Sequence, residues 1–295
     1  MRNITNPIFN EFLKLKLIKK KNIIKINNTT RDKKIKVYQD KKSLIIFLEK
    51  YLSNFNYYSS IKKIDQKKIK NKVYSLISIK NGKTIKTQML NDSERRYLNF
   101  KKYFYKKSIL DFGCGWGDFL GLLKNYSNKC SGLEIRKDCI NYIKKKNKFI
   151  DIQSNINQFR RNFDVITLFH VLEHLPKQIQ SLKLLKKKIK KGGKIIIEVP
   201  SAQDYLISLN KLPEFKKFTF WSEHLVLHTA KSLKKILSAS GFKKIKISHF
   251  QRYGYANHIG WLLNKKPGGH EYFGKDINKR LNKAYKKYLT KSELA

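Results

Sequence analysis

The sequence predicts an α/β protein built on a doubly wound, mostly parallel sheet, with an N-terminal α+β extension and a C-terminal helical segment. Three observations carry that prediction. An apolar run, Ile109-Leu110, leads through Asp111 into glycines at alternate positions, Gly113, Gly115 and Gly117, and then into an apolar helix at 119–123. Glycines there let the backbone turn tightly and approach a ligand closely, and the helix start offers unpaired N–H groups to an anionic group. Strand-length apolar runs alternate with helical patterns from 108 to 199, which favours parallel strands joined by helices. The 295 residues are ample for a real core.

The elements follow in order. Residues 1–35 are rich in Lys and Asn and weakly patterned, so a mobile arm or a poorly packed helix is expected. Residues 35–60 read as a short strand, a turn and an aromatic-rich stretch ending at Tyr57-Tyr58. Alternation over 73–79 gives a strand closed by Asn81-Gly82. Residues 1–90 together form an extension covering the active site or a subunit interface. Asn91, Asp92, Ser93 and Glu94 then cap a helix over 91–102.

The domain at 91–250 carries strands at 108–112, 129–133, 149–153, 163–169 and 194–199. A helix at 177–190 is stopped by Gly192-Gly193, and Pro200 closes the fifth strand. A helix at 231–240 ends at Gly241, and 243–249 alternates as a sixth strand. The segment 251–295 lies on the substrate side, with a basic helix at 276–289. A seventh strand is either embedded near 257–263 or missing, and a missing strand exposes a sheet edge that favours a homodimer.

Composition narrows the function classes. The net charge of +45 invites a nucleic-acid partner. Only nine of the 66 basic residues are arginine, however, and the lysines spread along the whole chain. Phosphate and base readers favour the arginine fork, so a codon-biased solvated surface outweighs a nucleic-acid patch. Cys114, Cys130 and Cys139 form no C-x-x-C pair, which fits a reducing compartment. No apolar run reaches the roughly 18 residues of a membrane span, and the N-terminus has no signal-peptide core. A soluble cytoplasmic protein is expected.

Asp111, Gly113, Gly115 and Gly117 resemble motif I of the class I S-adenosylmethionine (SAM) dependent methyltransferases. A dinucleotide fingerprint would place its third glycine at 118, which is Asp118. The element order over 93–250 is similar to the small-molecule branch of that family, the quinone and sugar O-methylating enzymes. That resemblance implies a Rossmann-like sheet and SAM as cofactor. It places the methionine end of SAM at Asp111, Gly113, Cys114, Gly115 and Gly117, and the ribose hydroxyls at Glu134. The adenine amino group would meet Asn155 or the neighbouring Ser154. The segment Phe163-Asp164-Val165-Ile166 running into His170-Val171-Leu172-Glu173-His174 looks like the stretch after the fourth strand, which brings His170 to the cofactor and the acceptor.

Two histidine clusters are candidates for acid–base work. His170, Glu173 and His174 match an inverted zinc-protease motif formally, but that motif needs both histidines on one regular helix. Here the first follows a strand and Pro176 closes the segment, so no metal is expected. His174 serves either as a proton acceptor or to satisfy local backbone groups. The pair Glu223-His224 offers a second base, or ties down its loop. A third cluster, from Gln251 to His258 with Lys265 to His270, suits a sugar or other polar ligand and loosely resembles methyltransferases of surface-polysaccharide synthesis. The expectation is O-methylation of a small polar acceptor, such as a sugar or nucleotide-linked sugar, with His174 or His224 as base. Three alternatives stand beside it. RNA or DNA methylation lacks its Asp/Asn-Pro-Pro-Tyr/Phe signature here, a nucleotide-sugar oxidoreductase lacks the third glycine, and a non-catalytic SAM-binding assembly protein is the third.

Overall fold

β-Branched and aromatic runs produce eleven strands among the described residues. They are β1 (Ile23–Asn27), β2 (Val37–Asp40), β3 (Ile46–Leu48), β4 (Ile77–Lys80), β5 (Lys83–Lys86), β6 (Ser108–Phe112), β7 (Lys129–Leu133), β8 (Ile150–Gln153), β9 (Phe163–Phe169), β10 (Ile189–Glu198) and β11 (Val226–Leu227). The computed structural model describes residues 4–52, 77–80, 83–86, 92–209, 211–274 and 277–295. The chain forms two compact units, one of Met1–Leu52, Leu172–Lys186 and Val199–Ala295, the other of Ser53–Val171 and Lys187–Glu198.

The second unit holds the doubly wound sheet. Its five strands lie in the order β10-β9-β6-β7-β8, every pair parallel, as β/α alternation requires. The order reverses around β6, so the carboxyl ends of β6 and β9 flank the crevice where such sheets bind ligands. Ile109, Leu110, Val165 and Ile166 are buried, and Phe104, Phe119, Leu120 and Ile143 pack with Ile109 and Val165 on one face. Strands β6, β7 and β9 begin and end where the sequence places them, and β8 starts one residue later. The helix Asp92–Phe100 lies within the expected 91–102, and Asn91 lies outside the described residues. β4 pairs antiparallel with β5; the rest of the 73–79 strand, Asn81-Gly82 and Tyr57-Tyr58 lie outside the described residues.

Three expectations are corrected here. The helix at 177–190 ends at Lys187, and Gly192-Gly193 sit inside β10, where its register on β9 shifts between Ile189 and Lys194. A Cβ on Gly193 would lie 2.6 Å from Ile189 Cγ2 and 2.8 Å from the Asp164 carbonyl oxygen, so the glycine marks close backbone approach, not a helix stop. Residues 243–249 form no strand. Their alternation is real, with Ile245, Ile247 and His249 half-buried and Lys244, Lys246 and Ser248 exposed, but no ladder partner lies beside them among the described residues. Residues 257–263 belong to the helix Tyr255–Asn264, which rules out an embedded seventh strand there.

In the other unit, β1-β2-β3-β11 form an antiparallel sheet. The expected mobile arm contains the helix Pro7–Lys14, whose Ile8, Phe9 and Phe12 are buried at helical spacing. Asn6 caps it by accepting the Ile8 N–H at 3.1 Å, and its amide donates to the Leu48 and Leu225 carbonyls at 2.9 Å each. The expected basic helix runs over Lys279–Lys291 and packs on Tyr255–Asn264. His258 Nδ1 lies 2.7 Å from the Tyr285 hydroxyl, and Asn282 Oδ1 accepts the Tyr255 N–H at 3.0 Å. Gln251, Asn257 and His258 are therefore interior groups of this helix pair.

Candidate functional site

The glycine loop is built by hydrogen bonds to the next strand. The Gly113 and Cys114 N–H groups both donate to the Leu133 carbonyl, at 2.8 and 3.1 Å, fastening the loop across the end of β7. Gly113, Gly115 and Gly117 all have positive φ, at 78°, 54° and 81°, a region that penalises any Cβ. A Cβ on Gly113 would meet Val171 Cγ2 at 2.5 Å, whereas one on Gly115 would meet nothing within 4 Å. The loop is thus closed beneath Gly113 and open at Gly115. The buried Cys114 thiol packs into the core, and burial, reinforced by the Asp111 and Glu134 charges, pushes its pKa far above the ordinary thiol value.

Glu134 joins the loop to β7. Its Oε2 accepts the Gly115 N–H at 2.8 Å, and its Oε1 accepts those of Ile135 and Arg136 at 2.8 and 3.0 Å. Three backbone donors therefore fix one carboxylate in orientation. Beside it, Ile135 is 50% exposed, an apolar surface that sequence reasoning passed over. Asp111 lies buried under the loop and accepts the Thr167 hydroxyl at 2.6 Å. Burial pushes its pKa up to about 6 against the Thr167 hydrogen bond and the Arg96 charge, with the Glu134 charge adding to the rise. Ser154 and Asn155 are exposed. Asn155 caps the turn Ile156–Gln158 by accepting the Asn157 N–H at 2.9 Å, and Gln158 Oε1 accepts the Ser154 and Asn155 N–H groups.

His170 follows β9 with φ at 55°, a left-handed conformation uncommon for a non-glycine residue. Its side chain is 40% exposed, and Nε2 lies 3.3 Å from Glu198 Oε1 at the end of β10. Arg95 grips both Glu198 oxygens at 2.8 Å, and Arg96 reaches Oε1 through Nη2 at 2.7 Å and Nε at 3.1 Å. Burial opposes the Glu198 charge, but hydrogen bonds from His170, Arg95 and Arg96 outweigh it and hold the carboxyl well below its ordinary pKa. Arg96 also lies over the Phe169 ring, 4.6 Å from its centroid. Sequence reasoning named His170 and missed Arg95, Arg96 and Glu198 around it. The available signal was the adjacent pair Arg95-Arg96, two of only nine arginines among 66 basic residues.

The remaining candidates lie in the other unit, so His170 and His174, four residues apart in sequence, belong to different units. His174 Nδ1 is 2.9 Å from the Glu223 carbonyl oxygen. A carbonyl only accepts, so Nδ1 is the donor of this bond and Nε2 is the other ring nitrogen. That Nε2 is 3.8 Å from Oε1 of the buried Glu173. The His174 and His224 rings meet edge to face at 5.0 Å between centroids. The structure thereby brings His174, Glu223 and His224 together. Ligand atoms of Glu173, His174 and His224 lie within 4.8 Å of one another, a donor set of the kind zinc or ferrous iron accepts. His228 is buried nearby, and burial pushes its pKa down to about 4 against the Glu173 charge.

The chain belongs to the methyltransferase-domain family, whose profile matches residues 87–247, just over half of it. Fold and family define a methyltransferase domain. An uncharacterized protein of Methanocaldococcus jannaschii is 32% identical over 124 residues, covering 41% of this chain and 53% of that one. The ubiquinone biosynthesis O-methyltransferase of Coxiella burnetii is 27% identical over 124 residues, 39% of this chain and 52% of the other. The chain spans about half the length of these two relatives. The demethylmenaquinone methyltransferase of Lactobacillus johnsonii is 27% identical over 195 residues, covering 54% and 80%. Among solved structures, a SAM-dependent methyltransferase from Archaeoglobus fulgidus is similar at 22% identity and a TM-score of 0.46, covering 68% of this chain and 85% of that one. No helix among the described residues is long and apolar enough to cross a membrane.

Proposed function

We propose that the chain methylates an oxygen of a small polar acceptor, holding SAM at the carboxyl ends of β6 and β7. The observation that carries this reading is the clamped Glu134. A carboxylate has about four acceptor positions, and three backbone N–H groups occupy three of them, leaving one on Oε2 for a ribose hydroxyl. The open space at Gly115 admits a ligand beside it, and Ile135 offers an apolar surface to the adenine, with Ser154 and Asn155 on the polar side. Gly113 and Gly117 shape the loop, and Asp111 orders it from beneath.

Bound there, SAM would supply an electrophilic methyl group whose leaving group is a neutral thioether, and an acceptor oxygen would receive it. The protein must position the acceptor and take its proton. His170 is assigned that proton, because residues 170–171 lie against the glycine loop, as the Val171 contact with Gly113 shows, and Glu198 orients the imidazole. The pair His174–His224 with Glu223 is the second proton-accepting arrangement, His174 being oriented by the Glu223 carbonyl. Two relatives are named for quinone methylation, so hydroxylated quinones belong beside sugars and nucleotide-linked sugars as acceptors to test.

Calorimetric titration with SAM, S-adenosylhomocysteine and NAD tests the cofactor site. Micromolar binding of the first two, no NAD heat, and at least a tenfold loss in Glu134→Ala, from roughly 1.5–3 kcal/mol of charged hydrogen bonding, are expected. NAD binding without SAM would overturn the reading. His170→Ala and His224→Ala then separate the bases, since the true base loses turnover while cofactor affinity is kept.

A further inference from the structure

The helix Lys279–Lys291 presents two different stripes to solvent. Its inward face is set by Asn282, Tyr285 and Leu289, which meet Tyr255, His258 and the interior. At 100° per residue, Leu281, Ala284 and Tyr288 fall together in an arc of about 60° beside that face. All three are exposed, Leu281 by 49% and Tyr288 by 64%. The next arc holds Arg280, Lys283, Lys287 and Lys291, again all exposed. No acidic residue occurs between 277 and 292. The packed neighbour Tyr255–Asn264 ends in Leu262 and Leu263, the latter 66% exposed, followed by exposed Lys265 and Lys266.

An apolar stripe flanked on one side by a cationic stripe is the pattern of a helix lying in a lipid headgroup layer, leucine and tyrosine entering the acyl boundary while lysines meet anionic headgroups. A second copy of this chain does not match it, because each carries a net charge of +45 and the stripe holds only cations. A nucleic acid would satisfy the cations and leave Leu281 and Tyr288 facing phosphates, and the stripe has a single arginine for bidentate phosphate contact. We propose that the outer face of Lys279–Lys291 docks the protein peripherally on an anionic bilayer surface.

The test is co-sedimentation of the full chain with vesicles of phosphatidylcholine alone and of phosphatidylcholine with about 30 mol% phosphatidylglycerol, a charge density that draws polybasic segments. A double variant, Leu281→Ser with Tyr288→Ser, keeps every charge and removes the apolar stripe. Far-UV circular dichroism and a cooperative urea-unfolding transition report that it folds. Partition onto the anionic vesicles is expected to exceed that onto neutral ones by at least about tenfold, and to fall by about tenfold in the double variant. Equal binding of wild type and double variant would reduce the effect to general adhesion of a cationic protein and overturn the proposal. So would equal binding to both vesicles, binding to neither, or a preference for structured RNA that the double variant keeps.

Discussion

Gly113 and Gly115 sit two residues apart with positive φ, yet substitution should affect them very differently. Alanine at Gly115 meets nothing within 4 Å, so its cost is the left-handed backbone alone, about 1–2 kcal/mol. Alanine at Gly113 carries the same backbone cost and adds a contact of 2.5 Å with Val171 Cγ2, which even a few tenths of an ångström of movement cannot relieve. Overpacking of that kind costs about 1–3 kcal/mol more, giving about 2–5 kcal/mol in all. Val171→Ala removes both methyls in the way. The double variant Gly113→Ala/Val171→Ala should therefore recover about 1–3 kcal/mol relative to the sum of the single changes, a coupling well above ordinary non-additivity. Urea unfolding and S-adenosylhomocysteine affinity, measured on all four proteins and on Gly115→Ala, read the cycle. Equal losses at Gly113 and Gly115, or no recovery in the double variant, would refute the steric reasoning.

Two other predictions concern charge. Burial raises the folded pKa of Asp111 to about 6 from an ordinary 3.8, so its contribution to stability is complete below about pH 4 and is lost as pH rises through 6. Asp111→Asn keeps an acceptor for Thr167 and removes that loss, so the variant should gain up to about 3 kcal/mol on wild type between pH 4 and 7 in urea unfolding. A relative gain in the opposite direction would sink the assignment. Dialysis against EDTA is expected to leave methyl transfer unchanged, because the proton-accepting role given to His174 and His224 needs ring nitrogens that hold no metal ion. Activity lost to EDTA and restored by zinc would reassign Glu173, His174 and His224 as a ligand set.

The glycine loop was legible because its constraints are local. Three glycines two apart can only be read as backbone that no side chain tolerates, and Glu134 is placed by counting to the end of the next strand. Strands buried on both faces announce themselves as apolar runs, and β6, β7 and β9 begin and end as expected. Residues 243–249 failed for an instructive reason, since alternation reports a half-buried extended chain and says nothing about whether a ladder partner exists. The Lys-rich N-terminus hid a packed helix because three buried side chains, Ile8, Phe9 and Phe12, suffice to anchor it beneath an otherwise tolerant surface.

By itself the sequence determined the α/β class, the glycine loop and the carboxylate beside it, all features set by neighbours along the chain. Tertiary structure alone decided which distant residues meet. Arg95 and Arg96 converge with His170 on Glu198 from about a hundred residues away, and Glu223 meets His174 across 49 residues. It also assigned His170 and His174 to different units and gathered residues 1–52, 172–186 and 199–295 into one of them. Such pairings depend on how elements pack in three dimensions, and a pattern with a period of two or 3.6 residues carries no information about partners that far along the chain.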